Sequence, residues 1–347
     1  VIVHQILSGA GPVDAVTSQA RAFRRLFAEW GWSGQDVAGG IDPAMGRTIR
    51  PLGTLHPRPG EVLLMHYSAY APKLGRLLEL PNPKLLLSHN VTPARWFWDH
   101  DPATAIQCSL GRRQLPQFAR AVDVAAGVSR YNVAELQAAG APRTAVIPIL
   151  FDPDRLGAPG AEPGGPPTVL FVGRLAPHKR QDEVLRAFAC YQRRRAPDAR
   201  LVLVGWPLTP AYRQAMADLA DSLAPGAVTI ESSLTPEALA EHYRRAHVFL
   251  CLSEHEGFCV PLLEAFHFGV PVVARPVGGV PEVAGDAALL VSDRDPAVVA
   301  ELLHLAVSDG ELRAELRRRG RARLAEYDPQ VTAGQLRRVL EELAAGA

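Results

Sequence analysis

Between Ser253 and Glu282 the chain reads SEHEGFCVPLLEAFHFGVPVVARPVGGVPE, a run of residue types suited to holding a phosphate and sugar hydroxyls together. An apolar run ending near Leu252 predicts a strand, and the loop after it carries Glu254, Glu256 and Gly257. Pro261 then suits the first turn of a helix, where its missing N–H costs nothing. A helix start offers unpaired N–H groups and a partial positive charge to a phosphate. Gly257 lets a ligand approach the backbone closely. Glu256 on the loop and Glu264 one turn into the helix can accept hydrogen bonds from hydroxyls on either side of that phosphate. An acidic residue early in a helix is favourable by itself, so Glu264 alone fits a structural role equally well. The glutamate pair around Gly257 is the more specific feature.

A second segment has complementary chemistry. After the apolar run Thr168–Val172 comes GRLAPHKRQDEVLRAF, beginning at Gly173. A glycine at a strand's end, then Arg174 and Lys179, then a helix, is what neutralising a diphosphate needs. Taken singly, a basic pair in a loop is more often solvated surface.

The first half is less explicit. SGAGPVDAVTSQ, from Ser8, departs from GxGxxG and has no acidic ribose hook, which argues against a nicotinamide enzyme. A tight turn accounts for Gly9 and Gly11. Asp14 fits a helix cap or a site residue. His89 and Asn90 fall just past the run Leu85–Ser88, in SHNVTP, where a histidine commonly serves as a hydrogen bonder. Arg95, Trp96, Phe97 and Trp98 suit either an aromatic platform for a sugar acceptor or the edge of a core. Arg21, Arg24 and Arg25 fit a solvated helix face or contact with anionic lipid.

The segment around Glu256 and Glu264 resembles the E-x7-E motif of the retaining family 4 glycosyltransferases, and G-R-L-x-P-x-K from Gly173 resembles their donor phosphate site. The resemblance covers most of the second half. It implies the GT-B architecture, an α/β fold of two Rossmann-like doubly wound domains facing a central cleft. By it, Glu256 contacts the transferred sugar and Glu264 the ribose, while the amides of Phe258, Cys259 and Val260 line the sugar and diphosphate. Gly173, Arg174 and Lys179 hold the diphosphate, Gly9 and Gly11 face it from the first domain, and His89 reaches the donor sugar. Thr229–Leu234 lines the base. Two positions depart from the family, which more often has glycine at Cys259 and Arg180. The implied reaction moves a sugar from a UDP- or GDP-sugar to an acceptor hydroxyl with retention. It needs no metal ion and no cofactor beyond the nucleotide-sugar substrate. A phosphorylase, a nucleotide-sugar epimerase or a silent sugar-nucleotide-binding protein can share the two-domain shape.

Elements that position these residues follow from apolar periodicity. Short Val/Leu/Ile runs at 1–7, Val62–Met65, Leu85–Ser88, Val122–Ser129 and Ala145–Leu150 alternate with amphipathic stretches, and so do runs at Thr168–Val172, Leu201–Val204, Val228–Ile230, Val248–Leu252, Val270–Ala274 and Ala288–Val291. Continuous runs of this kind predict parallel strands buried on both faces. Helices are predicted after Lys179, over Pro236–Ala246 and over Val331–Leu343. The Pro- and Gly-rich stretch Phe151–Pro167 reads as a linker. This divides the chain into an acceptor-side domain at 1–150, a donor-binding domain at 151–330, and a tail helix at 331–347 packing back toward the first.

The 347 residues are 48% hydrophobic and 21% charged, a globular composition with room for two domains. A net charge of +1 makes no demand for nucleic acid. The first 150 residues hold 15 Lys and Arg against 10 Asp and Glu, consistent with a solvated basic face, an anionic acceptor or peripheral contact with a membrane. Cys108, Cys190, Cys251 and Cys259 show no CxxC or zinc spacing, which fits free thiols in a reducing compartment. No basic leader and no apolar stretch of about 20 residues is present. The expectation is a cytoplasmic protein whose partners are the nucleotide sugar and a carbohydrate, lipid-linked or small-molecule acceptor.

Overall fold

The computed structural model describes residues 1–11, 14–45 and 48–346, in two compact units. The first unit comprises Val1–Arg95, Pro102–Leu150 and Pro329–Ala347; the second comprises Trp96–Asp101 and Phe151–Asp328. Each is a parallel sheet covered by helices, the Rossmann-like pair that the resemblance implied.

The first sheet holds β1 (Val3–Leu7), β2 (Asp36–Ala38), β3 (Arg50–Pro51), β4 (Val62–Tyr67), β5 (Lys84–Ser88), β6 (Val124–Gly127) and β7 (Thr144–Val146). Their order is β3-β2-β1-β4-β5-β6-β7, so connection direction reverses between β1 and β4. Helices α1 (Ala15–Glu29), α2 (Pro102–Ala121) and α3 (Arg130–Ala138) lie between strands in sequence. Every residue of β1, β4 and β5 is buried, as continuous apolar runs require. Asp14 is a helix cap: its carboxylate accepts from Val16 N at 3.3 Å and Thr17 N at 3.0 Å. Pro12 and Val13 of the same turn lie outside the described residues.

The second sheet holds β8 (Thr168–Val172), β9 (Arg200–Val204), β10 (Val228–Glu231), β11 (Val248–Cys251), β12 (Val272–Ala274) and β13 (Ala288–Leu290), in the order β10-β9-β8-β11-β12-β13. Helices α4 (Gln181–Arg194), α5 (Pro210–Leu223), α6 (Pro236–Arg245), α7 (Val260–His267), α8 (Val280–Ala284), α9 (Pro296–Ser308) and α10 (Gly310–Glu326) complete the unit. In α4 the apolar period puts Val184, Ala187, Phe188 and Tyr191 in the core. Connection direction reverses between β8 and β11, and ligands of open parallel sheets bind beyond the strand ends at such a switch point.

Three segments differ in detail from the sequence reading. The short strands β2 and β3 escaped the sequence reading, because two or three residues are too few to show a period. The stretch from Phe151 is no free linker. Arg244 donates to Ala158 O and Leu156 O, and His267 to Gly157 O at 2.7 Å, strapping it to the second unit. The aromatic run at 96–98 is divided: Phe97 is buried with its ring edge-on to His178, whereas Trp98 is exposed.

The final helix, α11 (Pro329–Ala345), belongs to the first unit and buries Leu336 and Leu340 completely. Leu336→Ala is expected to destabilise that unit by about 2–5 kcal/mol in chemical denaturation. Unchanged stability would show that the helix is a dispensable appendage.

Candidate functional site

The two loops that leave β8 and β11 at the switch point carry the candidate donor-site residues of the second unit. Gly173 ends β8 with φ at +154°, and Gly205 approaches it so closely that a Cβ there would lie 1.9 Å from Gly173 O. A short 3-10 turn, Pro177–Lys179, then presents Lys179, and α4 starts behind it. From the other loop comes Glu256, only 7% exposed. Lys179 Nζ donates to Glu256 Oε1 at 2.6 Å, and Ser253 Oγ donates to the same oxygen at 2.7 Å. The backbone joins the loops as well, with Glu254 N donating to His178 O at 2.7 Å. Burial, the largest single influence, pulls the Lys179 ammonium down in pKa, but the Glu256 carboxylate together with the neighbouring Cys259 and Cys251 holds the group above its ordinary value. The ammonium is therefore fully charged at neutral pH.

Arg174 lies in the same loop, exposed, and its guanidinium makes no hydrogen bond or ion pair among the described residues. Its carbonyl is anchored by Gln181 Nε2 at 3.0 Å. Helix α7 begins with Cys259 as its cap residue and Pro261 in its first turn. The amides of Phe258, Cys259 and Val260 meet no protein acceptor among the described residues. From the first turns of α7, Glu264 accepts a hydrogen bond from Tyr243 Oη at 2.7 Å. Burial raises the Glu264 carboxyl above its ordinary range, partly opposed by that bond.

The glycines after α7 shape the Glu256 loop. Gly278 has φ at +56°, and a Cβ there would sit 2.0 Å from Glu256 O; a Cβ on Gly279 would sit 2.5 Å from Gly257 O. Gly279 N donates to Glu256 O at 2.9 Å. The GG pair thus lets one loop lie flat against the other.

Both departures from the family pattern fall where glycine has a conformational reason to be. Arg180 has φ at +53° and Cys259 at +81°. Arg180 offsets that cost with ion pairs to Asp182 at 2.8 Å and Glu183 at 2.6 Å. The Cys259 thiol lies 3.9 Å from Cys251 Sγ, buried rather than lining open space. Burial pushes Cys259 well above the ordinary thiol range. Cys251, Glu256 and Cys259 bring three metal-capable atoms within 4.8 Å, a group that spacing did not reveal. One Glu256 oxygen, Oε1, already accepts from the Lys179 ammonium and the Ser253 hydroxyl.

His89, Gly9 and Gly11 belong to the first unit. His89 follows β5, and its Nε2 lies 3.0 Å from Nδ1 of buried His66. Burial lowers His89 to about 4, against a small opposing effect of Asp14, so the ring is neutral at pH 7. Gly9 and Gly11 have no positive φ, and a Cβ on either would meet nothing closer than 3.9 Å. Among the described residues, nothing inside the unit requires glycine at either position.

Sequence reasoning missed Ser253, Tyr243 and the Arg275 network. Arg275, nearly fully buried, donates to Leu252 O at 2.8 Å and Glu254 Oε1 at 3.2 Å, and pairs with Glu183. Its signal was a lone arginine directly after the buried run Val270–Ala274. Tyr243, 21 residues from Glu264 and on another helix, had no local signal.

A model of the family described as "Glycosyl transferases group 1" matches residues 154–323. The D-inositol 3-phosphate glycosyltransferase of Acidothermus cellulolyticus is 30% identical over 328 residues, covering 79% of this chain and 71% of that protein. The GDP-mannose-dependent alpha-(1-6)-phosphatidylinositol monomannoside mannosyltransferase of Mycolicibacterium smegmatis is 32% identical over 197 residues; the match covers 51% of this chain and spans half the length of that relative. Among solved structures, Anabaena HepE in complex with UDP and glucose superposes with a TM-score of 0.75 at 15% identity, covering 98% of this chain and 99% of that one. That likeness is one of fold, GT-B. No helix among the described residues is long and apolar enough to cross a membrane.

The raised Glu264 carboxyl has a stability consequence. A carboxyl with a folded pKa above its unfolded one holds its proton more tightly when folded, so its favourable contribution is complete at low pH and is lost as pH rises through the folded value. Glu264→Gln keeps an acceptor for Tyr243 and removes the buried charge. Its melting temperature relative to wild type is expected to rise as pH increases from the ordinary carboxyl range toward neutral. A pH-independent difference would show that Glu264 titrates normally.

Proposed function

Since this chain belongs to the glycosyl transferases group 1 family, we propose that it transfers a sugar from a nucleoside diphosphate sugar to an acceptor hydroxyl with retention of configuration, in the manner of family 4. The observation that carries this reading is the Lys179–Glu256–Ser253 cluster, followed one turn into α7 by Glu264. In the proposed complex, Lys179 and Arg174 face the diphosphate, and the amides of Phe258, Cys259 and Val260 bind its oxygens or the sugar. Glu256 accepts from sugar hydroxyls and Glu264 from the ribose. Gly173 and Gly257 let the ligand approach the backbone, and Gly9 and Gly11 do the same from the first unit. His89 contacts the donor sugar.

The acceptor oxygen forms the new glycosidic bond as the bond from the anomeric carbon to the diphosphate breaks. The acceptor's proton passes to a leaving diphosphate oxygen, whose charge Arg174, Lys179 and the amides stabilise. This is preorganised electrostatics and needs no side-chain base. The reaction proceeds without a metal ion or other cofactor, the role of countercharge falling to the two cations. A GDP- or UDP-sugar is the proposed donor, in line with the GDP-mannose of one relative's name and the UDP of one structural neighbour. A carbohydrate or inositol-type lipid headgroup fits as acceptor on the same grounds, reached by a protein acting in the cytoplasm or peripherally at a membrane.

The test is calorimetric titration with UDP-, GDP-, ADP- and dTDP-sugars, followed by transfer assays with and without a chelator. One donor is expected to bind, with Arg174→Ala and Lys179→Ala each weakening it at least about tenfold, the order of a charge-assisted hydrogen bond. Glu264→Ala should remove transfer while the protein stays folded. Wild-type transfer by Glu264→Ala, or activity abolished by chelation, would contradict the assignment.

A further inference from the structure

A hydrogen-bonded chain crosses one face of the first sheet and ends at His89. Gln5 on β1 is paired with Asp36 on β2 and with Leu64 on β4. His66, two residues beyond Leu64, is paired with Leu87 on β5, and His89 lies two residues beyond Leu87. Asp36 lies directly across from Gln5, and the next two steps each move one strand across and two residues up, so the side chains share a face and climb toward the strand ends. The links are short: Arg24 to Asp36 Oδ1 at 2.6 Å, Gln5 Nε2 to Asp36 Oδ1 at 2.9 Å, Gln5 Oε1 to His66 Nε2 at 3.0 Å, and His66 Nδ1 to His89 Nε2 at 3.0 Å.

The proton positions along this chain are determined. The Gln5 amide nitrogen faces two groups that can only accept, Ala20 O at 2.8 Å and the Asp36 carboxylate. Its oxygen must therefore face His66, whose Nε2 must carry a hydrogen to donate. Burial holds His66 well below its ordinary pKa, so the ring has one N–H and its Nδ1 is a bare acceptor. The hydrogen between the two rings then belongs to His89 Nε2. The rings lie 5.2 Å apart between centroids with only 24° between their planes, which suits an in-plane N–H···N bond. His89 is likewise neutral, so its Nδ1 keeps a lone pair. That atom has no hydrogen-bond partner among the described residues. Asp14, the nearby charge, is occupied capping α1.

We propose that Arg24, Asp36, Gln5 and His66 are positioning residues that fix His89 as the Nε2–H tautomer, so that His89 Nδ1 accepts a hydrogen bond from a hydroxyl of the bound sugar. The ligand in this statement rests on the donor reading above, whereas the tautomer does not. His89 is then an acceptor that discriminates for a hydroxyl, and it supplies no proton to the reaction.

Long-range proton–nitrogen correlation of the nitrogen-15-labelled full chain tests this, with His89→Asn assigning the resonance. His89 is expected to show a protonated Nε2 and a bare Nδ1 without any ligand. In Gln5→Leu, where His66 loses its acceptor, both rings should become tautomer mixtures, and affinity for the nucleotide sugar should fall about tenfold. A wild-type His89 carrying its proton on Nδ1, or already a mixture, overturns the relay whether or not Gln5→Leu folds. The expected wild-type spectrum in a protein that binds no nucleotide sugar supports the relay and overturns the donor reading instead.

Discussion

The ion pair between Lys179 and Glu256 is the constraint around which the second unit is arranged. Two opposite charges largely withdrawn from water are tolerated only at close range and with further hydrogen bonds. Here the separation is 2.6 Å, and Ser253 adds a bond to the same oxygen. Keeping that geometry requires two loops from adjacent strands to be held in one register. The Glu254–His178 backbone bond does this on one side, and the close seat of Gly278 and Gly279 does it on the other. Behind them, Arg275 ties Leu252 and Glu254 to Glu183 at the start of α4, so the helix that follows Lys179 and the loop that carries Glu256 move together. In the proposed reaction an incoming diphosphate gives Lys179 a second anion, and Glu256 gains capacity to accept from the sugar.

The two units solve the problem of buried polarity differently. The second uses charges paired with charges, and Glu254 alone meets Arg180, Arg275 and Arg294. The first uses a mostly neutral chain, with a single ion pair at its outer end and two uncharged imidazoles at the other. A neutral chain transmits no charge but defines direction, because each group can donate on one side only if it accepts on the other. Orientation, rather than potential, is what it delivers to the sheet edge.

Residues in the second unit were readable to the extent that they are local in sequence. Glu256, Gly257 and Glu264 lie within nine positions, and Gly173, Arg174 and Lys179 within seven, so type and spacing alone suggested phosphate chemistry. Long strands such as β4 and β5 were legible because burial on both faces demands an unbroken apolar run. β2 and β3 were not, being set by their neighbours rather than by their own residues. The polar members of the first sheet were equally silent: Gln5 and His66 sit inside apolar runs, and only the strand register reveals that they are neighbours. Tyr243 and Ser253 act through partners that spacing could not supply.

Among the described residues, the non-glycine positions with positive φ are Asn90, Arg180, Ser233 and Cys259. They follow β5, β8, β10 and β11 respectively, each in the loop beyond a strand's carboxyl end. A side chain in the left-handed region costs about 1 kcal/mol relative to glycine, yet it removes backbone states that glycine would keep. Loops built this way are stiffer than glycine loops of the same course and surrender less disorder when something settles against them. The enthalpic cost is met once, during folding, and the entropic saving recurs at every binding event.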